Sequence, residues 1–278
     1  MSDNCVYVLG SVQDGGYPHT GCFENCCLSL KEKKRLISSI AIVDKLSKQS
    51  WIIDITPDIN SQLRMLNRYI HSSLSGIFLT HAHIGHYGGL INLGLESMNA
   101  SKIPVYAFNK MKLFLEENSI FNQLIKNENI VINSMDENSE FFLNESIKIS
   151  GFLVPHRNEL SETVGYCIKS KNKSIIYLPD IDSWDKWKTD VTELIKNHDV
   201  LILDGTFYNK NELKKRDITK VPHPSIIDSM QLMNTLPIKE RNKVYFTHMN
   251  HTNKSLLNNS KEYIHIVNSG YNILKDKN

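Results

Sequence analysis

Three histidines fall within Thr80-His81-Ala82-His83-Ile84-Gly85-His86-Tyr87-Gly88-Gly89, directly after the apolar run Gly76-Ile77-Phe78-Leu79. The run reads as a buried strand, so the histidines stand where a strand ends and a loop begins. Neutral imidazole is the commonest nitrogen ligand for zinc and its first-row neighbours, and imidazoles crowded at one strand end can converge on one ion. The segment therefore predicts a metal site, and it demands a fold in which a sheet edge holds rigid ligands. Gly85, Gly88 and Gly89 are expected to let the backbone turn tightly around the cluster.

The rest of the chain is punctuated by short β-rich runs, at 6–9, 37–43, 51–55, 77–80, 104–108, 129–133, 147–154, 164–168, 174–178, 200–204 and 244–247. Further candidate ligands follow the ends of several runs: His156 after 147–154, Asp180 after 174–178 and His248 after 244–247. One such residue means little, whereas repeated delivery of His and Asp to one sheet edge is how a scaffold builds a rigid ligand set. Helical spacing marks 58–70 (Ile59, Leu63, Leu66, Ile70), 184–195, 225–236 and 256–267. Pro57 and Pro224 are each placed to begin a helix, where a missing N–H costs little. The strand-rich first half is loosely mirrored by the second, which predicts an α+β chain of two packed sheets with helices outside. No linker divides it, so one domain over 1–278 is expected, with the polar stretch 127–145 as surface turns.

Composition narrows the chemistry. With 32 basic and 30 acidic residues the formal charge is +2, which gives no electrostatic reason to expect nucleic acid or a membrane. The basic runs Lys31-Glu32-Lys33-Lys34-Arg35 and Lys214-Lys215-Arg216 read as solvated faces. No apolar stretch approaches the ~20 residues that cross a bilayer, and Met1-Ser2-Asp3-Asn4 lacks the start of a secretory signal, so a cytoplasmic protein is expected. Five cysteines stand at 5, 22, 26, 27 and 167; in that compartment the crowding at 22–27 argues for metal rather than disulfides. Cys5 and Cys167 read as small buried hydrophobes. Phosphate-cradling glycine motifs and a G-x-S-x-G elbow are absent, which leaves the chemistry to metal.

Taken together, His81, His83 and His86, then His156, Asp180 and His248 in that order, resemble the metallo-β-lactamase-fold hydrolases, whose signature is H-x-H-x-D-H followed by a His, an Asp and a last His. The resemblance covers nearly the whole chain and implies an αββα sandwich of two mixed sheets. It also implies that His81, His83 and His156 hold one metal and His86 and His248 a second, with Asp180 bridging. Trp51-Ile52-Ile53-Asp54-Ile55-Thr56-Pro57-Asp58 is similar to the family's early strand, which would make Asp54 the carboxylate that orients a metal-bound imidazole. A capping or turn aspartate is the alternative reading of Asp54.

Within the family the chain looks like two groups. Val8-Leu9-Gly10-Ser11 with Gly15-Gly16, the segment Asp54-x-x-Pro57-Asp58, and Asp204-Gly205-Thr206-Phe207 resemble the pyrroloquinoline-quinone biosynthesis protein B group. The cyclic phosphodiesterase of phosphonate breakdown carries an additional structural zinc, and Cys22, Cys26, Cys27 and His251 are similar to its ligands. The C-x3-C-C spacing departs from that relative, and His19 could replace one of the paired cysteines. His223 stands where phosphodiester-cleaving relatives place a substrate-facing histidine, the alternative being a surface loop. Relatives normally have Asp between His83 and His86, where this chain has Gly85. The second site would then keep His86, His248 and Asp180, with occupancy dependent on metal supply.

The resemblance thus implies a metal-dependent hydrolase, a phosphodiesterase on small organic phosphodiesters acting through a metal-bound hydroxide, with Asp180 and His223 catalytic. It would use one or two catalytic Zn, Mn or Fe ions and one structural Zn. Its partner would be a small-molecule substrate, and since related enzymes often pair, a homodimer is the oligomer to expect. Two other readings stay open: an oxidative, quinone-pathway-like cofactor-biosynthesis enzyme on the same fold, and a non-catalytic binding protein organised by metal.

Overall fold

A computed structural model describes residues 6–28, 34–71, 73–137, 139–212 and 221–276. Cys5, Lys31-Glu32-Lys33 and Lys214-Lys215-Arg216 lie outside the described residues.

Strands β1 (Val6–Gly10), β2 (Ser39–Asp44), β3 (Gln49–Ile53), β4 (Ser73–Phe78), β5 (Ile103–Phe108) and β6 (Ile130–Met135) form one sheet in that order. β1, β2 and β3 pair antiparallel, and β3 to β6 run parallel. The second sheet repeats the plan in reverse order, from β7 (Glu140–Phe142) through β8 (Ile147–Val154), β9 (Thr163–Ser170), β10 (Lys173–Leu178), β11 (Val200–Asp204) and β12 (Val244–Thr247) to β13 (Asn272–Ile273). Here β7 to β10 are antiparallel and β10 to β13 parallel.

The strands read as continuous apolar runs because both faces of each sheet are covered. Alternate residues of one strand serve different layers: Ile40, Ile42, Trp51, Ile53 and Phe78 meet Ile149, Tyr166, Ile168, Tyr177 and Ile202 between the sheets. The intervening Ala41, Val43, Ile52 and Ile77 face outward onto α2 (Ile59–Ile70), α4 (Asn109–Glu117) and α5 (Ser119–Lys126) through Ile59, Leu66, Met111, Leu115 and Leu124. Ile176, Leu178, Leu201, Leu203 and Phe246 likewise face α6 (Val191–Asn197), α7 (Ile226–Leu232) and α9 (Lys261–Asn268). The result is the helix–sheet–sheet–helix sandwich expected from the sequence. The short helices α1 (Asn25–Leu28), α3 (Ile84–Tyr87) and α8 (Ile238–Arg241) complete the described set.

Several local expectations are corrected. The segment 184–195 is broken into a 3-10 turn at Trp184–Lys186 and α6, because the Asp190 side chain caps a new helix by accepting from Thr192 N. The segment 256–267 is broken likewise, with Ser260 capping α9. Pro57 and Pro224 each stand one residue before the N-cap, Asp58 and Ser225, rather than inside the helix. The stretch 127–145 contributes β6 and β7 instead of turns alone.

Candidate metal centre and active site

The candidate residues gather at one edge of the sandwich, where strands of both sheets end. Asp54 follows β3, His81 follows β4 by two intervening residues, His156 follows β8, Asp180 follows β10 and His248 directly follows β12. Placing ligands outside the carboxyl ends of parallel strands is the general habit of such sheets. Asp54 and His248 turn out of their strands with φ of 65° and 58°. Left-handed backbone at residues other than glycine costs about 1–3 kcal/mol and persists where the surroundings over-determine it.

His81 Nε2 lies 2.7 Å from His83 Nδ1 and 3.5 Å from Asp180 Oδ2. Asp180 Oδ2 is also 3.0 Å from His86 Nε2 and 3.4 Å from His248 Nε2, so one carboxylate oxygen reaches ligand atoms of three histidines. His81, His83 and His156 offer nitrogens within 4.8 Å of one another, as do the ligand atoms of His81, His86 and Asp180. Two atoms bound to one tetrahedral zinc at roughly 2.1 Å would stand about 3.4 Å apart. His86 Nε2, both His156 ring nitrogens and both Asp180 oxygens are buried with no hydrogen-bond partner among the described residues. An unpaired buried polar atom costs ~1–3 kcal/mol, and metal cations among them would satisfy every one except His156 Nδ1, which faces Asp182. The residues present therefore fit divalent metal.

Outer contacts aim these rings. Asp54 accepts from His86 Nδ1 at 2.7 Å, from Thr80 N at 2.9 Å and from Thr80 Oγ1 at 3.0 Å, which turns His86 Nε2 toward the centre. That geometry excludes the capping role for Asp54. Thr206 Oγ1 donates to Asp204 Oδ1 at 2.8 Å and stands 3.0 Å from His248 Nδ1, which fixes the second ring in the same sense. His156 Nδ1 lies 3.0 Å from Asp182 Oδ1 without hydrogen-bond alignment.

Electrostatics divide the histidines. Burial drives His83 down to about 4 and holds His81 well below its ordinary value, so both stay neutral and available as ligands near pH 7. Burial would lower His86 too, but the Asp54 carboxylate, with Asp14 and Asp180, outweighs it and raises His86 well above the usual range. Burial would raise Asp180, yet His248 and its neighbours hold its carboxyl well below the ordinary range. A centre that draws a proton this strongly draws a metal cation for the same reason.

His223 is buried rather than a surface residue. Its Nδ1 is 2.7 Å from Asp204 Oδ2 and 3.5 Å from Asp180 Oδ1; the shorter contact commits Nδ1 to Asp204 and leaves Nε2 as the reactive nitrogen. Burial alone would depress it, and Asp204 reverses the sign, raising it. His223 lies on a cleft of about 830 Å³ walled by Trp184, Trp187 and Lys210. Arg157 lines a different, smaller pocket with His81 and His83, its Nη2 3.1 Å from His83 Nε2.

A second cluster lies apart. Cys22 and Cys26 sulfurs are 3.8 Å apart, Cys26 and Cys27 sulfurs 4.0 Å, and both Cys26 and Cys27 stand 3.5 Å from His251 Nδ1. On a tetrahedral zinc, sulfurs at roughly 2.3 Å would be about 3.8 Å apart and a sulfur and nitrogen about 3.6 Å. The four residues thus fit a closed Cys3His site despite the altered spacing. Burial and the neighbouring Cys22 and Cys27 push the Cys26 thiol up to about 12, as expected of thiols brought together for a cation. His19 stays outside the four; its backbone N–H donates to Cys27 Sγ at 3.3 Å and its ring is tilted 36° against that of His251, with centroids 4.3 Å apart. Cys167 is buried as expected, 3.7 Å from His198 Nε2.

Gly85, Gly88 and Gly89 turn the chain around the cluster without positive φ. Gly89 is required by close approach, since a Cβ there would lie 2.2 Å from the Thr56 carbonyl oxygen. Sequence reasoning also missed Asp14, whose Oδ1 is 3.3 Å from His86 Nε2 and 3.4 Å from His248 Nε2. It gave no role to Thr80, Asp182, Asp204 or Thr206 either. For Asp204 a signal existed, an aspartate at the end of an apolar strand as at Asp54.

Comparison with known proteins agrees with the fold. Coenzyme PQQ synthesis protein B of Methylobacterium sp. (strain 4-46) is 22% identical over 302 residues, 97% of each chain. The Zn(2+)-bound crystal structure of PqqB from Methylobacterium extorquens superposes with a TM-score of 0.82 at 21% identity, covering 98% of this chain and 97% of that one. A diphosphatase from the PhnP family superposes with a TM-score of 0.70 at 22% identity, covering 98% and 94%. Residues 51–249 match the Beta-lactamase superfamily domain, and the chain belongs to that superfamily.

Proposed function

We propose that the protein is a metal-dependent hydrolase of small organic phosphodiesters. The observation that carries the proposal is the pairing of the orphaned His–Asp centre with His223, a histidine held by Asp204 beside an open cleft. Divalent metal in such a centre supplies a water of lowered pKa, near 7, and stabilises charge on nonbridging oxygens. In this reading His81, His83 and His156 would hold one ion and His86 and His248 a second, with Asp180 available to both. Asp54 and Thr206 keep the His86 and His248 rings in the ligating orientation.

His223 serves as the acid. Asp204 accepts the hydrogen bond from Nδ1–H, which stabilises the imidazolium and leaves the Nε2 proton to pass to a departing alkoxide, with His223 ending neutral. Arg157 favours an anionic phosphoryl substrate over a neutral ester; its Nε has no hydrogen-bond partner among the described residues. A planar guanidinium suits phosphate oxygens. Trp184 and Trp187, with ring centroids 6.3 Å apart, give the leaving group an apolar wall. The separate Cys22-Cys26-Cys27-His251 cluster is assigned one structural zinc.

The test is a panel of chromogenic phosphodiesters, phosphomonoesters, carboxylic esters and lactones with manganese or zinc added. Selective diester turnover supports the reading; turnover of esters alone refutes it. A second reading is favoured by the near full-length match to Coenzyme PQQ synthesis protein B. It makes the protein a cofactor-biosynthesis enzyme with oxidative chemistry, and oxygen-dependent turnover with iron in place of hydrolysis would select it.

A further inference from the structure

The motif Thr80–His86 has Gly85 where the H-x-H-x-D-H signature it resembles has an aspartate, yet the space beside Gly85 is filled by a carboxylate. A Cβ built on Gly85 would lie 2.4 Å from Asp14 Oδ1 and 2.8 Å from Asp14 Cα, so no side chain fits at 85 while Asp14 is in place. Asp14 Oδ1 also forms, with His86 and His248, a group of ligand atoms within 4.8 Å of one another.

Hydrogen-bond accounting shows what this group needs. His86 Nδ1 donates to Asp54 at 2.7 Å, so its Nε2 presents a lone pair when the ring is neutral. Thr206 Oγ1 gives its own proton to Asp204 and therefore accepts from His248 Nδ1, leaving His248 Nε2 in the same state. Two imidazole lone pairs thus face oxygens of Asp14 and Asp180, which are acceptors too. A proton relieves one such contact, and a divalent cation relieves all of them.

We propose that Asp14 supplies, from the loop after β1, the carboxylate ligand missing at position 85, so that the second metal is held by Asp14, His86, His248 and Asp180. The proposal rests on the two-metal reading above. It replaces the expectation of a weakened second site: the ligand charge is conserved and only its position in the chain has moved. The loop is fixed for the task, since Gln13 N donates to Met249 O and Met249 N to Ser11 O, both at 3.0 Å, which ties it beside His248. Gly16, at φ 74°, turns the chain away immediately afterwards.

The experiment is Mn(II) binding to the full chain with its cysteine site left zinc-loaded, followed by titration calorimetry and by the exchange-coupled electron paramagnetic resonance signal of a manganese pair. The wild type should bind two Mn(II) ions and give the coupled signal. Asp14→Asn should keep one, lose the coupled signal and weaken the second ion at least ~100-fold, the upper end for removing a mere supporting partner. The double variant Asp14→Gly with Gly85→Asp should restore both. Wild-type stoichiometry and affinity in Asp14→Asn would overturn the proposal, and so would a folded double variant that still binds one ion. Crystals of the Mn(II)-loaded wild type give a check independent of any variant: Asp14 must coordinate the second ion, and an Asp14 turned away from it refutes the assignment. None of these readouts uses a substrate, so absent diester turnover with this metal pattern intact would sink the hydrolase reading alone.

Discussion

Asp54 is the residue on which the geometry of the candidate centre depends most. Its carboxylate, fully buried, accepts from Thr80 N, Thr80 Oγ1 and His86 Nδ1. Asp54→Ala would strand three buried donors. Two bonds from the neutral Thr80 donors, taken at a low value of about 1 kcal/mol each, and the one from His86 at about 1.5–3 kcal/mol predict a loss of roughly 3.5–5 kcal/mol. Asp54→Asn keeps one acceptor oxygen and tolerates the left-handed backbone at φ 65°. It should lose mainly the charge-assisted bond, about 2 kcal/mol. Urea unfolding of the metal-free proteins measures both, and metal titration should show a 10–100-fold weaker site in Asp54→Asn because His86 is no longer held. An alanine variant within about 1 kcal/mol of wild type, or an asparagine variant with unchanged metal affinity, refutes the argument that this carboxylate orients the ligand.

Other perturbations follow from the same structure. His223→Gln should leave the metal content unchanged and lower diester turnover by about 10²–10⁴-fold, the range for a general acid; loss of metal instead would make His223 a ligand. Cys26→Ser should remove one zinc equivalent in elemental analysis while sparing the other ions, with the thermal midpoint falling about 2–4 °C for each kcal/mol lost. Gly89→Ala drives a Cβ into the Thr56 carbonyl at 2.2 Å. Two backbones must then part, at a cost of about 1–3 kcal/mol by chemical denaturation; an unchanged midpoint would contradict the close packing of this segment.

The strands that carry ligands were the most legible part of the chain. β8, β11 and β12 have the ends read from their apolar runs: β11 and β12 are largely buried along their length, and β8 alternates, burying Ile147, Ile149 and Gly151 between the half-buried Lys148, Ser150 and Phe152. Helices α4 and α5 were not legible, since Asn118 breaks the segment into two pieces and each buries only two residues, too few to show a period. Trp184 and Trp187 imitated a helical stripe at 184–195 although they wall the cleft, their indole N–H groups donating to Ser229 Oγ and Leu153 O. The positions later found together at the sheet edge were visible as a repeated arrangement, a His or Asp after an apolar run. Asp14 follows that rule only loosely. Its place beside His86 and His248 comes from the pairing of Val12 with Met249, a contact between the two ends of the chain that leaves no local trace.

The most direct test of the account is to follow diester hydrolysis while metal-free protein is titrated with Mn(II). Turnover of a chromogenic phosphodiester should rise with the filling of the His–Asp centre, vanish with chelator, and be absent in His83→Ala. Full occupancy of both ions with no turnover of any phosphodiester, under manganese, zinc or iron, would contradict it.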